Sequence, residues 1–114
     1  CNFYQVLDKK LYFEEPGDHA DEMETSLMMH LQPNLVLPLK FSGNGFEKKH
    51  LVRGIREKWA WSERKWSQVT VDTGIGNPKK SSKKKGKKFF EDLTSKISEL
   101  IIEICKLDAD SFYK

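Results

Sequence analysis

Asp18-His19-Ala20-Asp21-Glu22-Met23-Glu24-Thr25-Ser26-Leu27-Met28-Met29-His30-Leu31 is the stretch from which the rest of the chain is read. Four carboxylates crowd one imidazole and then give way to apolar residues. Met23, Leu27, Met28 and Leu31 fall at i, i+4, i+5 and i+8, on one face of a helix. The acids complement the positive end of that helix, so it starts between Asp18 and Asp21. It stops before Pro33, because a residue preceding proline is pushed out of the α region. A loop that feeds a helix N-terminus is a good place for reactive groups. With His19 in the loop and Glu24 in the first turn, both side chains point into one cleft. An imidazole there is a ligand or a proton carrier, and a carboxylate is a hard ligand for Zn²⁺, Mn²⁺ or Mg²⁺. The plainer alternative is an acidic, exposed helix start with an incidental histidine.

Upstream, Cys1 to Leu7 reads as a short strand. Leu11-Tyr12-Phe13 reads as an edge strand or packed loop, closed by the turn signal Pro16-Gly17. Downstream, Leu35-Val36-Leu37 is a packed loop or a strand, and residues 46–71 are irregular. Trp59-Ala60-Trp61 fits a short strand with both indoles on one face. The three tryptophans, Trp59, Trp61 and Trp66, suit a lid, an interface or a core. The last helix is expected over 82–106, with Ser81 or Ser82 as its N-cap. Phe89, Phe90, Leu93, Ile97, Leu100, Ile101 and Ile104 make its buried stripe.

At 114 residues the chain holds one small domain at most. Hydrophobic residues at 38% and charged residues at 32% exclude both a disordered tail and a membrane-spanning protein. Two cysteines, Cys1 and Cys105, exclude a disulfide scaffold and a paired-cysteine metal site. Cys1 lacks a neighbouring base that would make it a nucleophile. Gly74-Ile75-Gly76 lacks the continuation a nucleotide loop needs. With no leader or targeting tail in view, the expected compartment is the cytoplasm. The net charge of +3 conceals two blocks. Seven acids stand against Lys9 and Lys10 in residues 1–24, and seven lysines fall between Lys79 and Lys88. His30 reads as a partly buried structural residue, and His50, among Lys48, Lys49 and Arg53, as solvated surface.

The segment Asp18 to Met28 resembles the signature of the creatininase (creatinine amidohydrolase) family. That signature is an acid, His-[Gly/Ala]-Gly, two variable residues, Glu-Thr-Ser and an apolar helix. Pro33-Asn34-Leu35-Val36 resembles the family's Pro-Asp/Glu-Leu-Val. Asp72-Thr73-Gly74-Ile75-Gly76-Asn77-Pro78 followed by Ser81 to Gly86 resembles Gly-x-x-Gly-[Asp/Asn]-Pro and Ala-Thr-x-x-Lys-Gly before a closing amphipathic helix. The likeness covers about residues 1–107, with Asp21 where the family usually has glycine.

The resemblance implies an α/β fold, part of a three-layer arrangement with a mainly parallel sheet flanked by helices. It implies that residues 1–114 are the C-terminal portion of one such domain, the N-terminal half being absent. It implies a metal-dependent hydrolase acting on a C–N amide bond of a small molecule. Two divalent ions, zinc or manganese, would polarise the carbonyl and activate a bridging water. His19 would be the proton shuttle or face the substrate, Asp18 would be the acid beside it, and Glu24 would face the metal. Thr25 and Ser26 would cap and brace the helix start. Partners implied are the small amide substrate and further copies of the chain, as a hexamer, with neither nucleic acid nor membrane. The 114 residues alone are expected to be inactive. Two other readings compete: a polyanion-binding module using Lys79–Lys88, and a non-catalytic assembly subunit.

Overall fold

The structure, a computed structural model, describes residues 1–108, 110 and 113. Among the described residues four α-helices are joined by 3₁₀ turns and loops: α1 (Glu22–Leu31), α2 (Arg53–Arg56), α3 (Trp66–Val69) and α4 (Lys83–Lys106). Among the described residues there is no strand. The expected parallel sheet flanked by helices is therefore corrected: these residues form a helical and irregular structure. One isolated antiparallel bridge, His19 to Ile75, is all the β pairing they show. It cannot lengthen, because Ala20 at φ +49° and Gly76 at φ +137° turn both chains away at once.

Each expected strand fails for a local reason. At the N-terminus the Asn2 side chain accepts from Tyr4 N and caps a 3₁₀ turn over Phe3–Gln5. Lys9–Leu11 is a second such turn, capped by Asp8. Trp59-Ala60-Trp61 closes α2 instead of extending. Lys58 takes φ +64°, and both Trp59 N and Ala60 N donate to Gly54 O. Pro33–Leu35 is a 3₁₀ turn, so the 35–37 stretch is loop, with Leu35 and Leu37 exposed.

Both expected helices form, with their ends close to where the sequence puts them. Asp21 is the N-cap of α1, its Oδ1 accepting from Glu24 N at 2.8 Å, worth about 1 kcal/mol. Ser82 caps α4, accepting from Lys85 N. The two helices pack tightly through a glycine. A Cβ on Gly86 would lie 1.8 Å from Ser26 O. Ser26 Oγ accepts from Ser82 N at 3.1 Å, so Ser26 does brace a helix start, that of α4.

The core is small: Phe13, Met23, Phe89 and Leu93 are buried, with Tyr4, Val6, Leu7, Tyr12, Leu27 and Ile97 packed around them. Phe89 meets Tyr12 and Phe13 edge-on at 5.1 and 5.2 Å between centroids. Each such ring contributes about 2 kcal/mol by burial. The stripe on α4 is buried only over its first half; Leu100, Ile101, Ile102 and Ile104 are exposed. On α1, Met23 is buried but Met28 and Leu31 are exposed. No described helix is long and apolar enough to cross a membrane.

The two charge blocks meet each other. Glu22 is fully buried and accepts from Glu14 N at 2.9 Å, Glu15 N at 2.7 Å and Lys85 Nζ at 2.5 Å. Lys85 also reaches Glu14, and Lys80 bonds Glu14 and Glu15, each at 3.0 Å. Lys87 and Lys88 pair with Glu91 and Asp92 one turn along. Four lysines of the run are thus engaged with carboxylates of this chain. Its position at the start of α4, electrostatically unfavourable for a helix, is offset by acids from residues 14–22.

Candidate functional site

The loop 17–21 is pinned from both sides before α1 begins. Asp18 N and His19 N donate to Ile75 O at 2.8 and 3.0 Å, and Ile75 N returns a bond to His19 O at 2.8 Å. Asp21, almost wholly buried, closes the loop by accepting from Gly17 N at 2.6 Å. A side chain in place of the family's usual glycine fits because its neighbours have none. A Cβ on Gly76 would fall 2.6 Å from Asp21 Cβ, and one on Gly17 would fall 2.7 Å from Gly76 Cα. Strain sits one residue earlier, at Ala20. A left-handed backbone there costs about 1 kcal/mol and turns the chain between His19 and the helix.

That turn brings together two of the three expected site residues, His19 and Glu24. His19 Nδ1 lies 3.7 Å from Glu24 Oε2, with the imidazole half exposed. Glu24 is engaged on both oxygens: Oε2 also accepts from Ala20 N at 2.7 Å, and Oε1 accepts from the Tyr4 hydroxyl. In the usual capping box the third helical residue reaches back to the cap's own N–H; here it reaches one residue further. The Tyr4 hydroxyl is pushed up to about 12, first by its bond to the Glu24 carboxylate, then by burial and that carboxylate's charge. It stays a protonated donor across the physiological range.

Asp18 points elsewhere. It accepts from Arg64 Nη1, and Arg64 also reaches Glu47 at 3.9 Å. Arg64 lies over the Trp66 ring at 5.0 Å, and Trp66 packs edge-on against His19 at 5.1 Å. So His19 stands between a carboxylate at Nδ1 and an indole at its face or edge. The Glu24 carboxylate, beyond hydrogen-bond length from Nδ1, acts on the ring through its charge.

His30 packs on Phe90 at 5.6 Å, and its Nδ1 is buried with no hydrogen-bond partner among the described residues. His50 is exposed and accepts from Val52 N through Nδ1. Both cysteines are exposed free thiols. Among the described residues no three His, Cys, Asp or Glu side chains are grouped to hold a metal ion. Sequence reasoning missed Tyr4 and Arg64, and named Trp66 only as one of three tryptophans suited to a lid, an interface or a core. Tyr4 was hidden in an apolar run that resembles a strand, and Arg64 in a charge-rich loop. Only the adjacency of Arg64 and Trp66 hints at the stacked pair.

Comparison with known proteins places this geometry. The family model for creatinine amidohydrolase (creatininase) matches residues 2–101. Over all of this chain, the fold superposes on the crystal structure of a "putative creatinine amidohydrolase" from Bacteroides fragilis NCTC 9343, with a TM-score of 0.87 and 39% identity. The chain spans 44% of that protein's length. No curated protein matches the chain. The matched span includes the pinned loop, α1, the Gly74–Pro78 turn and most of α4, and on these grounds the chain belongs to the creatininase family.

Proposed function

We propose that the protein hydrolyses a C–N amide bond of a small molecule, and that this chain carries the proton-handling side of the site. The observation that supports it most is the His19–Glu24–Tyr4 arrangement on a loop pinned by Ile75. Glu24 acts on the imidazole through its charge, and Tyr4 fixes Glu24. The ring is then set to take a proton from the attacking water and pass it to the amide nitrogen as the C–N bond breaks. The water oxygen ends on the carbonyl carbon as a carboxyl group, and the nitrogen leaves as an amine. Asp18 holds Arg64, and Arg64 holds Trp66 against the ring, which shields one side from water.

The family implies two divalent ions, zinc or manganese. The described residues do not fit that centre by themselves: none of their acid, imidazole or thiol groups cluster in threes. Both oxygens of Glu24 are also taken. No step is therefore routed through a metal, and donors for one would have to lie outside these residues. The polyanion reading is disfavoured by the four lysines already paired with carboxylates.

The test is amide hydrolysis by the natural holoprotein, with creatinine as the first substrate. His19→Ala should lower kcat by about 100- to 10,000-fold, the range for a lost general acid–base. Tyr4→Phe should lower it by about 10- to 100-fold, as expected of a group that orients another. Hydrolysis that survives His19→Ala unchanged would remove this reading. A metal-free, inactive holoprotein would favour the assembly subunit instead.

A further inference from the structure

Residues 47–69 fold around a cleft of about 910 Å³ that opens beside the pinned loop and takes Asp18 into its wall. That volume suits a small organic molecule. The charge of the lining is uneven. Lys48, Lys49, Arg56, Lys58, Arg64 and Lys65 face it, against Asp18, Glu47 and Glu63. Asp18 and Glu47 are already neutralised, by Arg64 and Lys49. Arg56 donates to the carbonyls of His50 at 3.1 Å and Leu51 at 2.6 Å, which fixes the guanidinium but leaves its charge uncancelled. Among the described residues, Lys48, Lys58 and Lys65 form no ion pair. One free carboxylate, Glu63, is set against these four cations. The rest of the wall mixes polar His50, Ser62 and Gln68 with apolar Leu51, Ile55, Trp61 and Val69, and Trp61 is 86% exposed.

We propose that this cleft binds a small oxyanion-bearing molecule, its phosphate or carboxylate held by Lys48, Lys58 and Lys65 and its apolar body lying on Trp61. An uncompensated positive cleft concentrates anions. An open indole face offers a flat surface on which an apolar ring can stack. The cleft adjoins the site: Asp18, next to His19 in the chain, lines it, and so does Arg64, which lies over the Trp66 ring that packs on His19. Resting on the amide-hydrolase reading, the cleft would hold the anionic end of the substrate while its amide lies at His19.

The experiment is a tryptophan-fluorescence titration of the full, metal-free protein with phenyl phosphate, benzoate and phenol. Phenyl phosphate or benzoate should bind saturably, and the tighter of the two identifies the oxyanion. Phenol should bind at least about tenfold more weakly, since it offers the ring without the charge. Combined Lys48→Glu, Lys58→Glu and Lys65→Glu should weaken the anion about tenfold or more, and Trp61→Ala should also weaken it. Lys83→Glu with Lys84→Glu, on α4, should change nothing. Equal binding of phenol, an unaffected triple variant, or an equal loss from the α4 pair would each overturn the proposal. Because the titration needs no turnover, the two readings fail separately. Anion binding without amide hydrolysis would remove the enzyme and keep the cleft; hydrolysis without anion binding would do the reverse.

Discussion

Between α1 and α4 the chain buries Phe13, Met23, Phe89 and Leu93 together with two carboxylates, Asp21 and Glu22. Across residues 46–69 it leaves Phe46, Leu51, Val52, Trp59 and Trp61 in the open. The first region is held by packing, by a glycine contact and by side chains that satisfy backbone N–H groups. The second is held by two four-residue helices and a few turns. An isolated helix of that length has almost no stability of its own. His19 sits on the seam. Its backbone and Glu24 belong to the firm region, whereas Trp66 and Arg64 reach it from the loose one. The surroundings of His19 are thus fixed from one side and can adapt from the other.

The sharpest way to break this contrast is to remove Glu22. Glu22→Ala strands Glu14 N and Glu15 N and takes from the Lys85 ammonium its buried carboxylate, leaving it Glu14 and the Lys80 carbonyl. Leaving such groups unpaired in a buried site should cost about 3 kcal/mol, a large share of the stability of a small domain. Urea unfolding measures it. Leu51→Ala, at a side chain 92% exposed, is the control and should stay within about 0.5 kcal/mol. Similar losses from the two would mean that the regions are not held differently at all.

The second effect is steric and smaller. Gly86→Ala puts a methyl into the Ser26 carbonyl, so α1 and α4 must separate and the Ser82–Ser26 bond stretches. Overpacking of this kind costs about 2 kcal/mol. Because Glu24 rides on α1, the same variant should also lower amide hydrolysis if the enzyme reading holds. A substitution tolerated without loss in either measurement would show that the close approach of the helices is not needed.

How much of this was legible beforehand follows from the range of the forces. The start of α1 between Asp18 and Asp21, the α4 cap at Ser81 or Ser82 and the extent of α4 are local, encoded within a few residues, and could be read off; the structure sets the caps at Asp21 and Ser82. The His19–Glu24 approach was also local, needing only a turn and the first helical residues. The strands were misread because apolar content was taken as extended structure, when short side chains such as Asn2 and Asp8 were tying the backbone into 3₁₀ turns. The lysine run was opaque for a different reason: its partners Glu14 and Glu22 lie more than 60 residues away. No periodicity records a contact of that separation. Tyr4 and Arg64 reach the site by the same long route.

The smallest expected effect is the pH dependence of that long-range network, and its sign is determined. Lys80 is the first cause holding the carboxyls of Glu14 and Glu15 below their usual 4.5, with Lys85 adding to the shift at Glu14. Carboxyls lowered on folding stabilise the chain fully above about pH 4.5, and that contribution is lost as pH falls through their folded values. Lys80 is raised above its usual 10.5 by Glu15 and Glu14, and Lys85 chiefly by Glu22. Their contribution is full below that value and is lost as pH rises through the raised one. Stability should therefore form a plateau with a fall at each end. Lys80→Gln should flatten the acid limb, because it removes the main cause of both carboxyl shifts. These pairs are largely exposed, so the change should be modest and shrink in high salt. An acid limb identical in Lys80→Gln and the parent would mean that the network orders the surface without holding the firm region together. The glycine contact and Glu22 would then carry that region alone.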